Sequence, residues 1–249
     1  MVVGGVDSNS VPIFRDSQIV DLSKQTRSCP NLQNLPVALN GATGAIVSGH
    51  PIICGGTLDN HNNRKECYHH SKASNSWTFL NNMITLRFAS ASVSLNGTLF
   101  IMGGSYYRPY LTISSTEYVS PDGGASKQGP DLPTPRSHHC AVKLSSGQVM
   151  LLGGSSITHI SLDGKSVITF DPHTETFNTS LPSMKYDRWS FGCAVFNSAM
   201  HDNREVVLAV GGMKQATAEV LDHTQPNAEW TESNYQFMLF YLTGCITVS

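Results

Sequence analysis

The stretch RFASASVSLNGTLFIMGG, residues 87–104, contains the clearest indication of the fold of this chain. Asn96-Gly97 stands between two apolar runs, and Asn and Gly adopt the two positive φ angles of a type I′ turn more readily than other residues. The stretch therefore predicts a β-hairpin whose second strand ends at Gly103-Gly104. Because a glycine pair carries no side chains, another part of the backbone can approach the strand closely at that point.

An apolar run that ends in two glycines occurs five times in the chain. The pairs are Gly4-Gly5, Gly55-Gly56, Gly103-Gly104, Gly153-Gly154 and Gly211-Gly212. They recur at a period of about fifty residues, which is typical of propeller blades that contain several short strands each. The sequence therefore predicts an all-β fold, a β-propeller of four-stranded blades with about five blades present.

The repeat divides the chain into successive units of one domain, residues 1–249. The predicted blade units are 1–37, 38–82, 83–132, 133–183 and 184–232. The first unit begins in the middle of a repeat, so we expect its first strand to be missing and the chain to be a fragment of a longer protein. Its third strand is predicted at residues 18–22. Residues 233–249 are either a closing strand for the first blade, around residues 237–242, or a tail unrelated to the repeats.

Composition narrows the classes of partner. The chain has 249 residues, of which 40% are hydrophobic and only 14% are charged, and its formal net charge is -2. This balance lacks the basic surface that nucleic-acid binding requires, so we expect no nucleic-acid partner. No apolar run reaches the length of about eighteen residues that a membrane-spanning helix needs, so we expect no membrane span.

Four features coincide in the units: the glycine pair, an aromatic or acidic third strand, an aromatic fourth strand, and an arginine before the glycine pair. This combination resembles the kelch repeat. The matching residues are Arg87, Arg136 and Arg188 for the arginine, Tyr68, Tyr118 and Phe170 for the third strand, and Trp77, Trp230 and Phe177 for the fourth. In the second unit, Leu39-Asn40 stands where the arginine would fall. The resemblance implies a propeller that usually has six blades, so five units are either a smaller ring or an incomplete one.

The resemblance also suggests a role for the arginines. In kelch propellers that are substrate receptors for cullin ubiquitin ligases, arginines at this position line the mouth of the central channel and bind acidic peptides. Arg87, Arg136 and Arg188 are thus predicted to bind a protein or peptide partner, since a guanidinium binds carboxylates in bidentate fashion. The alternative is that each arginine ties a blade junction together through backbone carbonyls.

A second predicted partner-binding set follows the third glycine pair. It consists of Tyr106, Tyr107, Arg108 and Tyr110. These residues should lie on the loop between strands two and three, which emerges on a binding face of a propeller, and Tyr and Arg are enriched at interface hot spots. The alternative is a surface loop that packs on itself.

The cysteines predict one disulfide bond. Cys54 and Cys67 lie on neighbouring antiparallel strands of one blade, so they can pair. Cys140 and Cys193 occupy matching places in adjacent blades, and we expect them to be too far apart to bridge and to remain buried thiols. The other two cysteines, Cys29 and Cys245, are not assigned.

Two further motifs concern modification and metals. The sequons at Asn96 and Asn178 lie at predicted turns and are candidate glycosylation sites, which together with the disulfide slightly favours an extracellular location. The adjacent histidines His69-His70 and His138-His139 point to opposite faces of a strand, so neither pair can hold one ion. We therefore predict no metal site and no cofactor.

Three functions remain open from the sequence. The leading hypothesis is a non-enzymatic propeller that binds a protein partner through loops and arginines on one face. The second is the substrate-recognition domain of a cullin ubiquitin-ligase adaptor that lacks its BTB part. The third is a galactose-oxidase-like, carbohydrate-active enzyme, although its ligand set cannot be assigned here.

Overall fold

The protein is almost entirely β in a computed structural model, which describes residues 2–6, 13–18, 32–58, 62–107, 110–156, 164–213 and 215–233. The strands in chain order are β1 Val2–Val6, β2 Ile13–Gln18, β3 Thr43–Val47, β4 His50–Cys54, β5 Glu66–Ser71, β6 Ser76–Asn82, β7 Ala91–Leu95, β8 Thr98–Met102, β9 Ser105–Tyr106, β10 Leu111–Thr112, β11 Thr116–Val119, β12 Lys127–Gln128, β13 Cys140–Lys143, β14 Val149–Leu152, β15 Val167–Asp171, β16 Thr176–Asn178, β17 Gly192–Ser198, β18 Arg204–Val210, β19 Ala218–Leu221 and β20 Trp230–Ser233. The one helical element among these residues is the 3₁₀ turn Ala199–His201. No helix in this part of the chain is long and apolar enough to cross a membrane.

The strands form four sheets of four antiparallel strands each. We call these sheets blade two (β3–β6), blade three (β7, β8, β11 and β12), blade four (β13–β16) and blade five (β17–β20). Blade one is the pair β1 and β2, and β9 with β10 forms a short ribbon in the loop between β8 and β11. The predicted all-β architecture of four-stranded sheets is confirmed.

The first strand of each complete blade is the inner strand, and these four strands lie side by side around a common axis. β3 contacts β7, β7 contacts β13, and β13 contacts β17. Just before each inner strand, one residue has a φ between 52° and 64°; these residues are Gly41, Ala89, His138 and Ser190. The N–H of each of the last three donates to the carbonyl of the preceding one, always at 2.8 Å. The same contact is therefore repeated from blade to blade, as the fold of a propeller requires.

The glycine pairs join each blade to the next. The second glycine donates its N–H to the carbonyl of the arginine that follows in the chain, in the bonds Gly56 to Arg87, Gly104 to Arg136 and Gly154 to Arg188, each 2.8 Å long. Both glycines of these pairs have positive φ angles. The close approach and the backbone angle together explain why no other residue type stands there.

Aromatic residues of the second, third and fourth strands fill the space between blades. The rings of Phe100 and Tyr118 in blade three lie 4.6 Å apart, and Phe100 also stacks on Phe170 of blade four at 5.0 Å. Phe177, which stands where other units have Trp, contacts Phe170 at 4.9 Å. Each sheet thus buries its apolar face against its neighbour rather than within itself.

Blade one differs from the prediction. The strand that pairs with β1 is β2, residues 13–18, whereas the third strand was predicted at residues 18–22, of which 19–22 lie outside the described residues. Val3 lies opposite Ser17 in blade one as Cys54 lies opposite Cys67 in blade two, so the register of the repeat is kept. The sequence did not predict β2 because most of its residues are polar. Arg108, Cys29, Cys245 and the suggested closing strand at residues 237–242 lie outside the described residues.

Two disulfide bonds are present in the described residues. The predicted bond between Cys54 and Cys67 is confirmed, with Cα atoms 4.1 Å apart on β4 and β5. The expectation that Cys140 and Cys193 are free thiols is wrong, because they form a second bond with Cα atoms 6.0 Å apart. These two cysteines lie on the inner strands β13 and β17, where neighbouring blades converge on the axis and equivalent positions come within bridging distance.

We expect peptide mapping under non-reducing conditions to recover two linked pairs, Cys54 with Cys67 and Cys140 with Cys193. Mapping of the same protein after reduction should release all four peptides. A Cys140 that reacts with a thiol reagent before reduction, in natively folded protein, would contradict the second pairing.

Candidate binding site at the axial face

A pocket of about 170 Å³ opens where the inner strands begin, around the axis of the propeller. Its wall is joined across blades by side chains as well as by backbone bonds. Thr43 on β3 donates its hydroxyl to Ser92 on β7 at 2.8 Å, and the disulfide of Cys140 and Cys193 joins β13 to β17. Covalent and hydrogen bonds between neighbouring blades therefore connect the wall of the pocket.

The pocket lies on one defined end of the propeller, which we call the axial face. In a four-stranded antiparallel blade, the loop between strands two and three and the connection to the next blade emerge at the same end. The hairpin turns between strands one and two, such as Asn96-Gly97, lie at the opposite end. The axial face therefore collects the loops that contain Tyr106, Tyr107 and Tyr110.

Three aromatic rings, which we call the aromatic stack, stand at the mouth of the pocket. Tyr107 lies parallel to Phe88 with ring centroids 4.6 Å apart, and Tyr110 lies parallel to both rings, 5.1 Å from Tyr107 and 6.3 Å from Phe88. His138 meets Phe88 edge-on at 6.2 Å. Phe88 is 5% exposed and Tyr110 is 41% exposed, so the stack runs from the interior to the solvent. Burial raises the pKa of Tyr107 and of Tyr110, which keeps both phenols protonated and able to donate.

The loop that carries the two tyrosines is held in place from both sides. Asn63 in the corresponding loop of blade two donates its side-chain amide to the carbonyl of Tyr107 at 3.0 Å and accepts the N–H of Tyr107 at 3.2 Å. The ribbon of β9 and β10 pairs Tyr106 with Leu111. The loop packs on the propeller through these contacts, while the outer ring of the stack stays accessible.

The structure places the three predicted partner-binding arginines in the interior. Arg87 and Arg188 are fully buried and Arg136 is 1% exposed. Arg87 donates to the carbonyls of Gly103 and Ser115 and forms an ion pair with Glu117, which is also fully buried. The prediction that these arginines bind a partner is therefore corrected: they tie blade junctions, which was the alternative.

The same junction recurs in blade five and is replaced in blade two. Arg188 donates to the carbonyls of Gly211 and Thr217 and pairs with Glu219. In blade two the position of the arginine is taken by Leu39 and that of the glutamate by Tyr68, both buried in an apolar cluster. Equivalent positions are thus filled by an ion pair in some blades and by an apolar pair in blade two.

The histidines have separate surroundings. His138 and His139 line the pocket, and burial lowers the pKa of both; for His139 the charge of Arg136 adds to this, so it is neutral at neutral pH. His70 is buried against the Trp77 ring, at a centroid distance of 5.2 Å. Among the residues that the structure describes, no three His, Cys, Asp or Glu side chains are grouped as metal ligands would be.

The two sequons lie away from the pocket. Asn96 is exposed in the turn between β7 and β8, at the opposite end from the axial face, and has a φ of 48° with Gly97 at 76°. Asn178 is exposed on the outer strand β16. Glycans at either position would leave the axial face clear; their attachment stays a prediction.

Comparison with known proteins supports the fold. No protein-family model matches the chain. Among solved structures, one described as the structure of YjhT matches with a TM-score of 0.64 and 17% sequence identity, over 81% of this chain and 67% of that chain. The two share a fold. At this identity the likeness concerns the blade architecture alone, and the site must be judged from its own residues.

Sequence reasoning identified the tyrosines but missed two residues that position them, Phe88 and Asn63. Phe88 directly follows the repeat arginine, where the other units have Asn40, Ser137 and Trp189. An aromatic residue at a position that is polar in two of the other three units was a usable signal for Phe88. Asn63 gave no such signal, because its contact with Tyr107 crosses from one blade to the next.

Proposed function

We propose that the chain is a kelch-type β-propeller that binds a protein or peptide partner through its axial face and does not itself catalyse a reaction. The aromatic stack carries this proposal. Aligned tyrosines offer a large flat area with a polar tip, and such residues account for much of the binding energy at interfaces. A partner side chain that covers Tyr110 would extend the stack and enter the mouth of the pocket.

The ordered conformation of the Tyr107 loop also supports partner binding at the axial face. Asn63 and the ribbon fix the loop of Tyr107 before any partner arrives, and Tyr107 packs on a buried ring. Binding to an ordered loop avoids much of the entropy cost of immobilising side chains at an interface. The axial face therefore has the properties of a prepared recognition surface.

An extracellular location is part of the proposal. The two disulfide bonds fit an oxidising compartment, because such bonds persist in secreted proteins and are rare in the cytosol. The exposed sequons at Asn96 and Asn178 would accept glycans in the secretory pathway.

The test is a quantitative capture experiment with the full chain as bait and with four variants: Tyr110→Ala, Tyr107→Ala, Asn63→Ala and Phe79→Ala. We expect the affinity of a captured partner to fall about thirtyfold for Tyr110→Ala, because loss of an aromatic hot spot costs about 2 kcal/mol. Asn63→Ala should weaken binding less, since it only loosens the loop. Binding isotherms with the identified partner give the values.

Phe79→Ala is the matched control. Phe79 is 56% exposed on the outer strand β6, away from the axial face, so its loss should leave affinity unchanged. A partner that is retained by Tyr107→Ala and Tyr110→Ala but lost by Phe79→Ala would place the interface on the blade edge instead and refute the proposal.

A further inference from the structure

Three positions make up each blade junction. They are the arginine position, a position in the third strand, and a loop residue that faces the third strand. The sets are Arg87, Glu117 and Ile84 in blade three, and Arg188, Glu219 and Lys185 in blade five. In both blades the glutamate pairs with the arginine and accepts the loop N–H at 2.6 Å.

Blade two has no charge at any of these positions. Its set is Leu39, Tyr68 and Pro36. Proline has no N–H to offer, so at this loop position the absent carboxylate leaves no donor unsatisfied. Blades three and five are thus consistently ionic and blade two is consistently apolar.

Blade four combines the two types. Its set is Arg136, Ile168 and Pro133. The backbone bonds fix this equivalence: Gly153 donates to Ser166 as Gly103 donates to Ser115, and Ile168 follows two residues later as Glu117 does. Blade four therefore keeps the cation and lacks the carboxylate.

Several polar atoms at and around the Arg136 guanidinium lack hydrogen-bond partners. Within the described residues the Arg136 side chain makes one hydrogen bond, from its guanidinium to the carbonyl of Gly153 at 3.2 Å, and its Nε, like that of Arg87, has no partner. The buried hydroxyl of Ser166 has none either, whereas Ser115 accepts from Arg87 at 3.0 Å. Both ring nitrogens of His139 are also buried without a partner. Within the described residues no carboxylate pairs with Arg136, and an uncompensated buried charge is strongly unfavourable.

We propose that blade four contains a binding site for a small carboxylate anion, held by the guanidinium of Arg136 and the hydroxyl of Ser166. The guanidinium supplies two N–H groups in the fork geometry that suits a carboxylate, and the Ser166 hydroxyl supplies a third donor. This site is separate from the aromatic stack and does not depend on partner binding there.

The test uses formate, the smallest carboxylate, with the full chain. Sodium formate replaces sodium chloride at constant ionic strength, and the thermal midpoint is recorded. We expect the midpoint to rise saturably, by about 3 °C at ten times the dissociation constant, because a ligand that binds only the folded state stabilises it. A midpoint that does not change would overturn the proposal.

Two variants remove the site by different means. Arg136→Leu copies Leu39 of blade two, and Ile168→Glu supplies the carboxylate from the chain as in blades three and five. Each should abolish the formate response, and the second keeps the test decisive if the first does not fold. Arg64→Leu, at a half-buried ion pair with Glu66, should keep the full response. An equal response in Arg136→Leu would show a general anion effect and refute the site.

Asp163 provides a further control, because it is the last acidic residue before blade four's third strand and lies outside the described residues. If wild type is insensitive to formate and Asp163→Asn becomes sensitive, the chain supplies its own carboxylate and the proposal is wrong. If Asp163→Asn responds as wild type does, the external site is supported.

Discussion

Replacement of Gly103 by alanine is expected to destabilise the propeller by about 4 to 5 kcal/mol, near the upper limit for a single substitution. Gly103 has a φ of 58°, and a Cβ atom there would lie 2.4 Å from the carbonyl oxygen of Arg136. The positive φ alone costs about 1 to 2 kcal/mol for an alanine. The remainder comes from the carbonyl, which belongs to the backbone of the next blade and can move only if the two blades separate.

Gly97→Ala is the matched control for this prediction. Gly97 has a φ of 76°, but no atom lies within 4 Å of the Cβ that alanine would add. The control therefore measures the backbone term alone, and we expect it to cost about 1 to 2 kcal/mol in denaturant unfolding. Gly153→Ala should behave like Gly103→Ala, since its Cβ would lie 2.5 Å from the carbonyl oxygen of Arg188. Equal losses for Gly97→Ala and Gly103→Ala would show that the glycine pairs are not needed for contact between blades.

The glycine pairs also show why the fold is predictable from the sequence. Each pair is a local feature that one close backbone contact between blades requires. The number of pairs in the sequence therefore indicates how many such contacts the fold contains. The hairpin at Asn96-Gly97 is predictable for the same reason, because turn type and residue type are linked within two positions. The bond between Cys54 and Cys67 joins strands that are consecutive in one blade, so the local repeat is sufficient there too.

Features that cross from one blade to the next are harder to predict. The bond between Cys140 and Cys193 depends on how closely the inner strands converge, and the period of the repeat does not contain that distance. The same limit applies to Asn63, whose partner Tyr107 is in the next blade. To predict such contacts, the distance of each residue from the propeller axis must be known in addition to its position within the repeat.

The arginines illustrate a different limit. Their repeat position is correctly identified, but position alone does not say whether a guanidinium faces a channel or a blade interior. The glutamates decide it, since Glu117 and Glu219 recur at one place in the third strand and are buried with their arginines. The paired occurrence of Arg and Glu, with a non-proline residue in the loop, was available in the sequence and indicates an internal ion pair.

The second large effect concerns that ion pair. Glu117→Gln is expected to cost about 3 to 5 kcal/mol, because it leaves the buried guanidinium of Arg87 without a compensating charge. The carboxylate of Glu117 also accepts the N–H groups of Ile84 at 2.6 Å and Thr85 at 2.9 Å, and a neutral amide replaces one of these acceptors with a donor. Denaturant unfolding of the full chain measures the loss.

Glu66→Gln is the control for this substitution. Glu66 pairs with Arg64 at 2.9 Å where both side chains are more than a quarter exposed, and partly exposed pairs contribute about 0 to 1 kcal/mol. The same chemical change should therefore be nearly neutral there. A comparable loss at both positions would mean that the amide substitution itself, and not removal of a buried charge, causes the effect.

Blade two supplies a second test of the same idea. The triple variant Arg87→Leu, Glu117→Tyr and Ile84→Pro gives blade three the apolar set that blade two already uses. The triple variant removes both charges and the N–H of Ile84, although the N–H of Thr85 still loses its acceptor. Because it avoids the penalty of a lone buried ion, we expect it to be more stable than Glu117→Gln despite its two extra substitutions. If the triple variant is less stable, the junctions are not interchangeable. The stability that the ion pair gives would then depend on neighbours found only in blade three.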